Sequence, residues 1–411
     1  MKQSRISTNI IMLYLVNFTQ LALPLVTLPY LTRVLSVDDY GVVSYVKSIT
    51  VYIIAIIEFG YLLSGTCDVV KAKEDKKQLG IIIGRITMAK LILSFAAFLI
   101  LLMMIVLIPL LRRHSLFTIL SFGTPFLSIF LFDYLFRGLE KMQIITYRFL
   151  IMKGISTALT FLVIKGDAQL LFIPILDILG SLVATLWIKA EIRKMGIHFQ
   201  WDKWQNVWQS LRISFVYFIS NIASTAFGAL NTLIVGIYLT TKDVAYWGLI
   251  MTLIGAVQSM YTPISDGIYP RMLKQKSLHL LNKILLFFIP LLIIGALFTY
   301  FGAHLIMLLL GGDKYGVAAN YLQLCIPLLV ISFFGVIFGW PALGAIDKVK
   351  ETTNTTIIAA IVQVVGLGGL IIGNVFSLTL LIIVRTLSEG VMVVLRVSYL
   401  YRFRYLFMHK V

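Results

Sequence analysis

Residues 91–108, LILSFAAFLILLMMIVLI, form an eighteen-residue run without a single charge, and Ser94 is its only hydroxyl. With its flanks the run extends over about 86–109. At 1.5 Å per residue a helix of that length crosses the roughly 30 Å hydrocarbon core of a bilayer. Read outward in both directions, the chain repeats this pattern, with further spans near 10–33, 42–65, 116–136, 149–165, 169–188, 213–239, 244–268, 284–305, 317–345, 355–373 and 376–399. The fold class is therefore an all-α polytopic membrane protein of about twelve transmembrane helices. The first run contains Pro24 and Pro29, is too long for a signal peptide and has no small-residue cleavage site, so it reads as an uncleaved span.

Composition leads to the same class. The chain is 59% apolar and only 13% charged, too few charges to cover a water-exposed surface. Its net charge of +17 would suggest nucleic acid in a soluble domain. Here the loops explain it. With the N-terminus in the cytoplasm, 24 of the 35 Lys and Arg fall in inner segments and 6 in outer ones. A four-to-one bias over short loops obeys the positive-inside rule, places both termini inside and removes any need for a nucleic-acid partner. Cys67 and Cys325 lie near or in spans without metal-ligand spacing and read as packing residues.

The longest connection, near 189–212, carries Trp201, Trp204, Trp208 and Leu211 on one helical face. Residues 197–212 are thus predicted as an amphipathic linker helix in the inner interface. It would separate an N-terminal six-helix lobe, 1–196, from a C-terminal one, 213–411. Matches across the midpoint point to a repeat. Asn17, Leu35 and Asp39 meet Asn221, Leu239 and Asp243 at an offset of 204, and Leu139-Glu140-Lys141 meets Ile346-Asp347-Lys348 at 207. Six spans per half give both lobes the same orientation, as expected of pseudo-symmetric lobes around a central cavity.

No nucleophile elbow, Walker loop or histidine cluster is present, so nothing points to catalysis, a cofactor or a metal. The informative residues are ionisable groups within spans, which are costly in hydrocarbon and mark wet cavities. Arg85 and Lys90 lie near an inner end and can snorkel, and Asp133 with Arg137 is a plausible i, i+4 pair. Lys47 and Glu58, eleven residues apart, project from one face of span two, which predicts a shared lumen. Asp177 falls mid-span, and Arg385 with Glu389 forms an i, i+4 pair deep in the last span.

The stretch Pro29-Tyr30-Leu31-Thr32-Arg33-Val34-Leu35, followed by Asp38-Asp39-Tyr40-Gly41, resembles the first-span motif of Wzx-type oligosaccharide flippases. These are a branch of the multidrug/oligosaccharidyl-lipid/polysaccharide exporter superfamily. Phe136-Arg137-Gly138-Leu139-Glu140-Lys141 is similar to that family as well. The resemblance implies a flippase of the bacterial cytoplasmic membrane that moves a polyprenyl-pyrophosphate-linked oligosaccharide to the outer leaflet for O-antigen, lipopolysaccharide or capsule assembly. It also implies alternating access, membrane lipids and other polysaccharide-assembly proteins as partners, and an H+ or Na+ gradient for coupling. A cationic lumen would take Arg33 and Lys47 from the first two spans, with Asn17 and Asn221 as paired polar groups and Glu58, Asp177 and Arg385 as further lining. Spans seven and eight hold no deep cation, so that lining would be one-sided. Two rivals remain at this stage. A glycan polymerase or ligase would need a large outer loop that this chain lacks. A multidrug antiporter of the same superfamily would use Glu58 and Asp177 as coupling carboxylates.

Overall fold

The computed structural model describes residues 2–407, with side chains described from 22 to 219, from 230 to 407 and at a few earlier positions. Ten helices among the described residues have the length and apolarity to cross a membrane. Two more, Lys2–Val34 and Trp204–Tyr238, occupy the places of spans one and seven. No strand occurs among the described residues. The lipid-facing character is plainest in Leu278–Gly311, where Leu286, Phe298 and Phe301 are 74%, 69% and 79% exposed. Water would penalise such a surface, whereas acyl chains match it.

The chain forms two compact units, the first ending at Ala245 and the second beginning at Tyr246. The first contains α1 (Lys2–Val34), α2 (Val37–Glu58), α3 (Tyr61–Lys71), α4 (Lys76–Leu107), α5 (Pro109–Arg113), α6 (Ser115–Ser121), α7 (Gly123–Ser128), α8 (Asp133–Gly138), α9 (Met142–Val163), α10 (Phe172–Lys194) and α11 (Trp204–Tyr238). α12 (Thr241–Ser259) crosses the boundary. The second contains α13 (Tyr261–Gln275), α14 (Leu278–Gly311), α15 (Ala318–Leu324), α16 (Ile326–Ile337), a π-helical segment Phe338–Leu343, α17 (Val349–Ile372) and α18 (Leu378–Arg402).

The predicted separate linker helix over 197–212 needs correction. Residues 197–203 are irregular, and the helix that starts at Trp204 continues without a break through span seven. Its first turns are not laid on the interface as an isolated element. Val207, Ser210, Leu211 and Ser214 are buried, and Val207 and Leu211 join Tyr61, Ile82 and Tyr134 in one core, while Trp204 and Trp208 stay exposed. Because α11 packs on α2 and α4, the compact unit extends to Ala245 rather than ending before the linker.

Spans two, four, eight and ten are interrupted. Span two breaks at Phe59 and Gly60, with φ of 43° and 78°. Gly60 meets two demands, since it adopts a left-handed backbone and a Cβ there would lie 2.6 Å from Tyr217 Cβ. Span four breaks at Phe122 and Phe132, span eight at Met260, and span ten at Cys325 and Gly339. Interrupted helices in corresponding places of two halves mark the working parts of many transporters.

Local geometry recurs at the offsets seen in the sequence. The Ser36 hydroxyl accepts from Asp39 N at 3.2 Å, and the Thr240 hydroxyl accepts from Asp243 N at 3.3 Å. Glu140 and Asp347 both have left-handed backbones, with φ of 58° and 64°. Lys141 N donates to Phe136 O at 2.8 Å, and Lys348 N donates to Leu343 O at 3.0 Å. Each turn acid also meets a lysine at 3.0 Å, Lys73 for Glu140 and Lys276 for Asp347.

Candidate functional site

Three helices of the first unit bring charge together inside the membrane. On α9, Lys153 and Ser156 share a face, being three residues apart. Both reach Asp177 of α10. The Lys153 ammonium lies 3.3 Å from Asp177 Oδ1, and the Ser156 hydroxyl donates to the same oxygen at 2.6 Å. Gly180, one turn beyond Asp177, allows this approach, because a Cβ there would sit 2.3 Å from the Met152 carbonyl oxygen. Lys47 of α2 is exposed and lies within electrostatic reach of both Asp177 and Lys153. Two ammonium groups act on one carboxylate, Lys153 in contact and Lys47 at longer range, so the cluster carries a surplus positive charge.

Lys47 is the eleventh residue of its helix, about 15 Å along the axis from the helix start at Val37. Lys153 lies about 16 Å from the start of α9 at Met142. Lys153 and Arg148, which the charge count includes among the 24 inner-segment cations, both lie within α9. The charge bias across the membrane survives their removal from that count.

Glu58 belongs to a different network from Lys47. Its carboxylate meets the Lys90 ammonium at 2.8 Å, with Lys90 nearly fully buried above the Tyr134 ring. Lys90 therefore does not snorkel. Its length is spent reaching Glu58 across the core. Asp133 pairs with Arg148 at 2.9 Å rather than with Arg137 one turn along its own helix. Arg85 pairs with Asp68 at 2.9 Å and approaches Asp202 at 3.8 Å. Buried charges held this way are compensated, and removing one partner is what costs.

In the second unit, Arg385 is buried on α18, and its Nη1 meets the Met251 sulfur at 3.5 Å. Its Nε has no partner among the described residues. Glu389, one turn on, lies within electrostatic reach. Arg396 is bound on all sides, donating to the Thr355 hydroxyl at 3.1 Å, the Thr356 hydroxyl at 2.9 Å and the Gly335 carbonyl. Arg33 ends α1 and is exposed. The side chains of Asn17 and Asn221 lie outside the described residues. Of the sequence candidates, Lys47 and Asp177 are thus brought together, Glu58 is held in its own network, and Arg385 sits in the other unit. Lys153 and Ser156 were missed. Their i, i+3 spacing lies inside the expected span 149–165, but their shared partner Asp177 is on another helix, which spacing alone does not reveal.

Residues 6–276 match the family model described as polysaccharide biosynthesis protein. Two relatives carry the name "Putative O-antigen transporter". The one from Escherichia coli (strain K12) is 24% identical over 367 residues, covering 86% of this chain and 87% of its own. The one from Shigella dysenteriae is 24% identical over 396 residues, covering 91% and 98%. Among solved structures, the lipid II flippase MurJ in an inward closed conformation aligns with a TM-score of 0.71 at 14% identity, over 96% of this chain and 87% of its own. An inward-facing multidrug resistance transporter of the MATE family aligns at 0.63 and 12% identity, over 93% and 98%. These are transporters and flippases rather than enzymes, and their fold is the one described above. The family match spans most of the chain, and this multi-pass membrane protein belongs to the polysaccharide biosynthesis protein family.

Proposed function

We propose that this transporter is a flippase that carries a polyprenyl-pyrophosphate-linked oligosaccharide repeat unit from the inner to the outer leaflet of the bacterial cytoplasmic membrane. The observation that carries this reading is the surplus positive charge of Lys47, Lys153 and Asp177 within the spans. A pyrophosphate with sugars cannot cross hydrocarbon unaided, because each unpaired buried polar group costs several kcal/mol. A hydrated path with cations at mid-depth removes that barrier while the prenyl chain stays in lipid. Lysine suits a carrier that must let go. It meets phosphate as a compact, hydrated point charge, whereas arginine offers a bidentate fork.

Asp177 fits the second half of a cycle. It holds Lys153 when the site is empty, and an arriving diphosphate would compete with it for the ammonium groups. An H+ or Na+ gradient used for coupling would have Asp177 as its carboxylate in this cluster. Cells lacking the protein should accumulate lipid-linked glycan on the inner leaflet, and restoring it should clear that pool. Normal surface polysaccharide without such accumulation would refute the reading.

A further inference from the structure

A groove of about 910 Å³ opens on the first unit where α11 passes the break in span two. The charge bias of the loops puts this end of α11 at the cytoplasmic face. The lining follows the helical period in two rows. Gln205 and Gln209 form one, and Trp204, Trp208 and Arg212 form the other. Deeper in, Phe215 and Phe59 close the groove, with Phe59 anchored by a stack on Phe218 at 4.4 Å between ring centroids. Trp204 and Trp208 are 53% and 55% exposed although their helix is well packed on its other face. Arg212 is exposed and belongs to none of the ion pairs among the described residues.

Polarity along the groove is ordered. The deep end is aromatic hydrocarbon, a cation follows, and indoles and amides continue toward the cytoplasm. That order matches a lipid with its chain deep, its phosphate at the guanidinium and further polar groups beyond. Length separates the two lipids that fit. From Arg212 to Trp204 is eight residues, about 12 Å along the helix. A phospholipid headgroup ends well short of that distance, while one or two sugar rings beyond a diphosphate fill it. Indole faces pack against the C–H faces of sugar rings, and amides exchange hydrogen bonds with their hydroxyls.

We infer that this groove is the inner-leaflet loading site for the lipid-linked glycan, with the diphosphate on Arg212 and the first sugars on Trp204 and Trp208. The inference rests on the proposed flippase function and adds where the cargo is first held. Loading here would place the diphosphate at the inner end of a path leading outward to Lys47. Phe59 lies twelve residues beyond Lys47 on the same span, about 18 Å away along the axis.

The test uses the full chain in nanodiscs of neutral lipid, with two probes read by indole fluorescence. These are farnesyl diphosphate and farnesyl-diphosphate-linked N-acetylglucosamine. The sugar-linked probe should bind about tenfold more tightly than the bare diphosphate. Arg212→Gln should weaken both probes, whereas Trp208→Ala should remove only the advantage given by the sugar. Brominated phosphatidylglycerol should neither quench these indoles selectively nor displace the probe. Equal binding of both probes, displacement by phosphatidylglycerol, or indifference to both substitutions would overturn the inference. Export separates this failure from failure of the function itself. If Arg212→Gln and Trp208→Ala export normally while Lys47→Ala does not, the groove is wrong and the flippase reading stands.

Discussion

Replacing Lys90 by Met tests whether the Glu58 network is structural. The ammonium is 2.8 Å from the Glu58 carboxylate, with side-chain exposures of 2% and 24%. Breaking a buried pair by removing one partner costs about 3–5 kcal/mol, chiefly through the charge left behind. Glu58 keeps some access to water, so the low end applies, about 3 kcal/mol. That is on the order of a hundredfold in the folded-to-unfolded ratio. The nearby Asp133 carboxylate adds repulsion once Lys90 is gone, because it acts on the same site. The double variant Lys90→Met with Glu58→Leu removes both charges and should return to within about 1 kcal/mol of the parent, since apolar replacements of buried pairs are often neutral. The assay is thermal loss of monodisperse protein in detergent for the parent, both single variants and the double. Additive losses in the double variant would refute the reasoning. So would a Lys90→Met protein as stable as the parent but unable to export, because that would make the pair functional.

Three further outcomes follow, the first from the loop charges, the second from the repeat and the third from helix packing. A reporter fused after Val411 should lie in the cytoplasm and one inserted near Asp313 outside, and opposite readings at both sites would overturn the orientation. In an experimental structure, residues 8–188 should superpose on 213–400 by rotation about an axis near the membrane normal, whereas an inverted relation would exclude the repeat. Gly180→Ala should destabilise by about 1–3 kcal/mol through overpacking against the Met152 carbonyl, while Gly154→Ala, with no atom within 4 Å of its added Cβ, should not; paired melting curves decide it.

Much of the fold was legible because a bilayer demands long apolar helices, and runs such as 91–108 leave no other reading. The ends of elements were less so. Nothing between Arg212 and Ile213 stops a helix, so the indole-bearing turns and span seven fused into one rod, and only packing reveals which face is buried. The break in span two has a sequence signal in Gly60, yet Phe132 adopts a left-handed backbone that no local residue preference suggests. Within the site, the cost of charge in hydrocarbon singled out Lys47 and Asp177 as residues to explain. It could not pair them. Partners such as Lys90 for Glu58, Arg148 for Asp133 and Lys153 for Asp177 come from different helices, and helix-to-helix contacts are tertiary information that spacing along one chain does not hold.

The central claim is that the Lys47–Lys153–Asp177 cluster conducts an anionic headgroup across the membrane. Its most direct test is the rate at which lipid-linked glycan reaches the outer leaflet, measured at matched membrane levels of the parent, Lys47→Ala, Lys47→Arg and Lys47→Ala with Lys153→Ala. The account predicts a marked loss for Lys47→Ala, partial retention for Lys47→Arg and the deepest loss for the double variant. Parental rates in the double variant would contradict it.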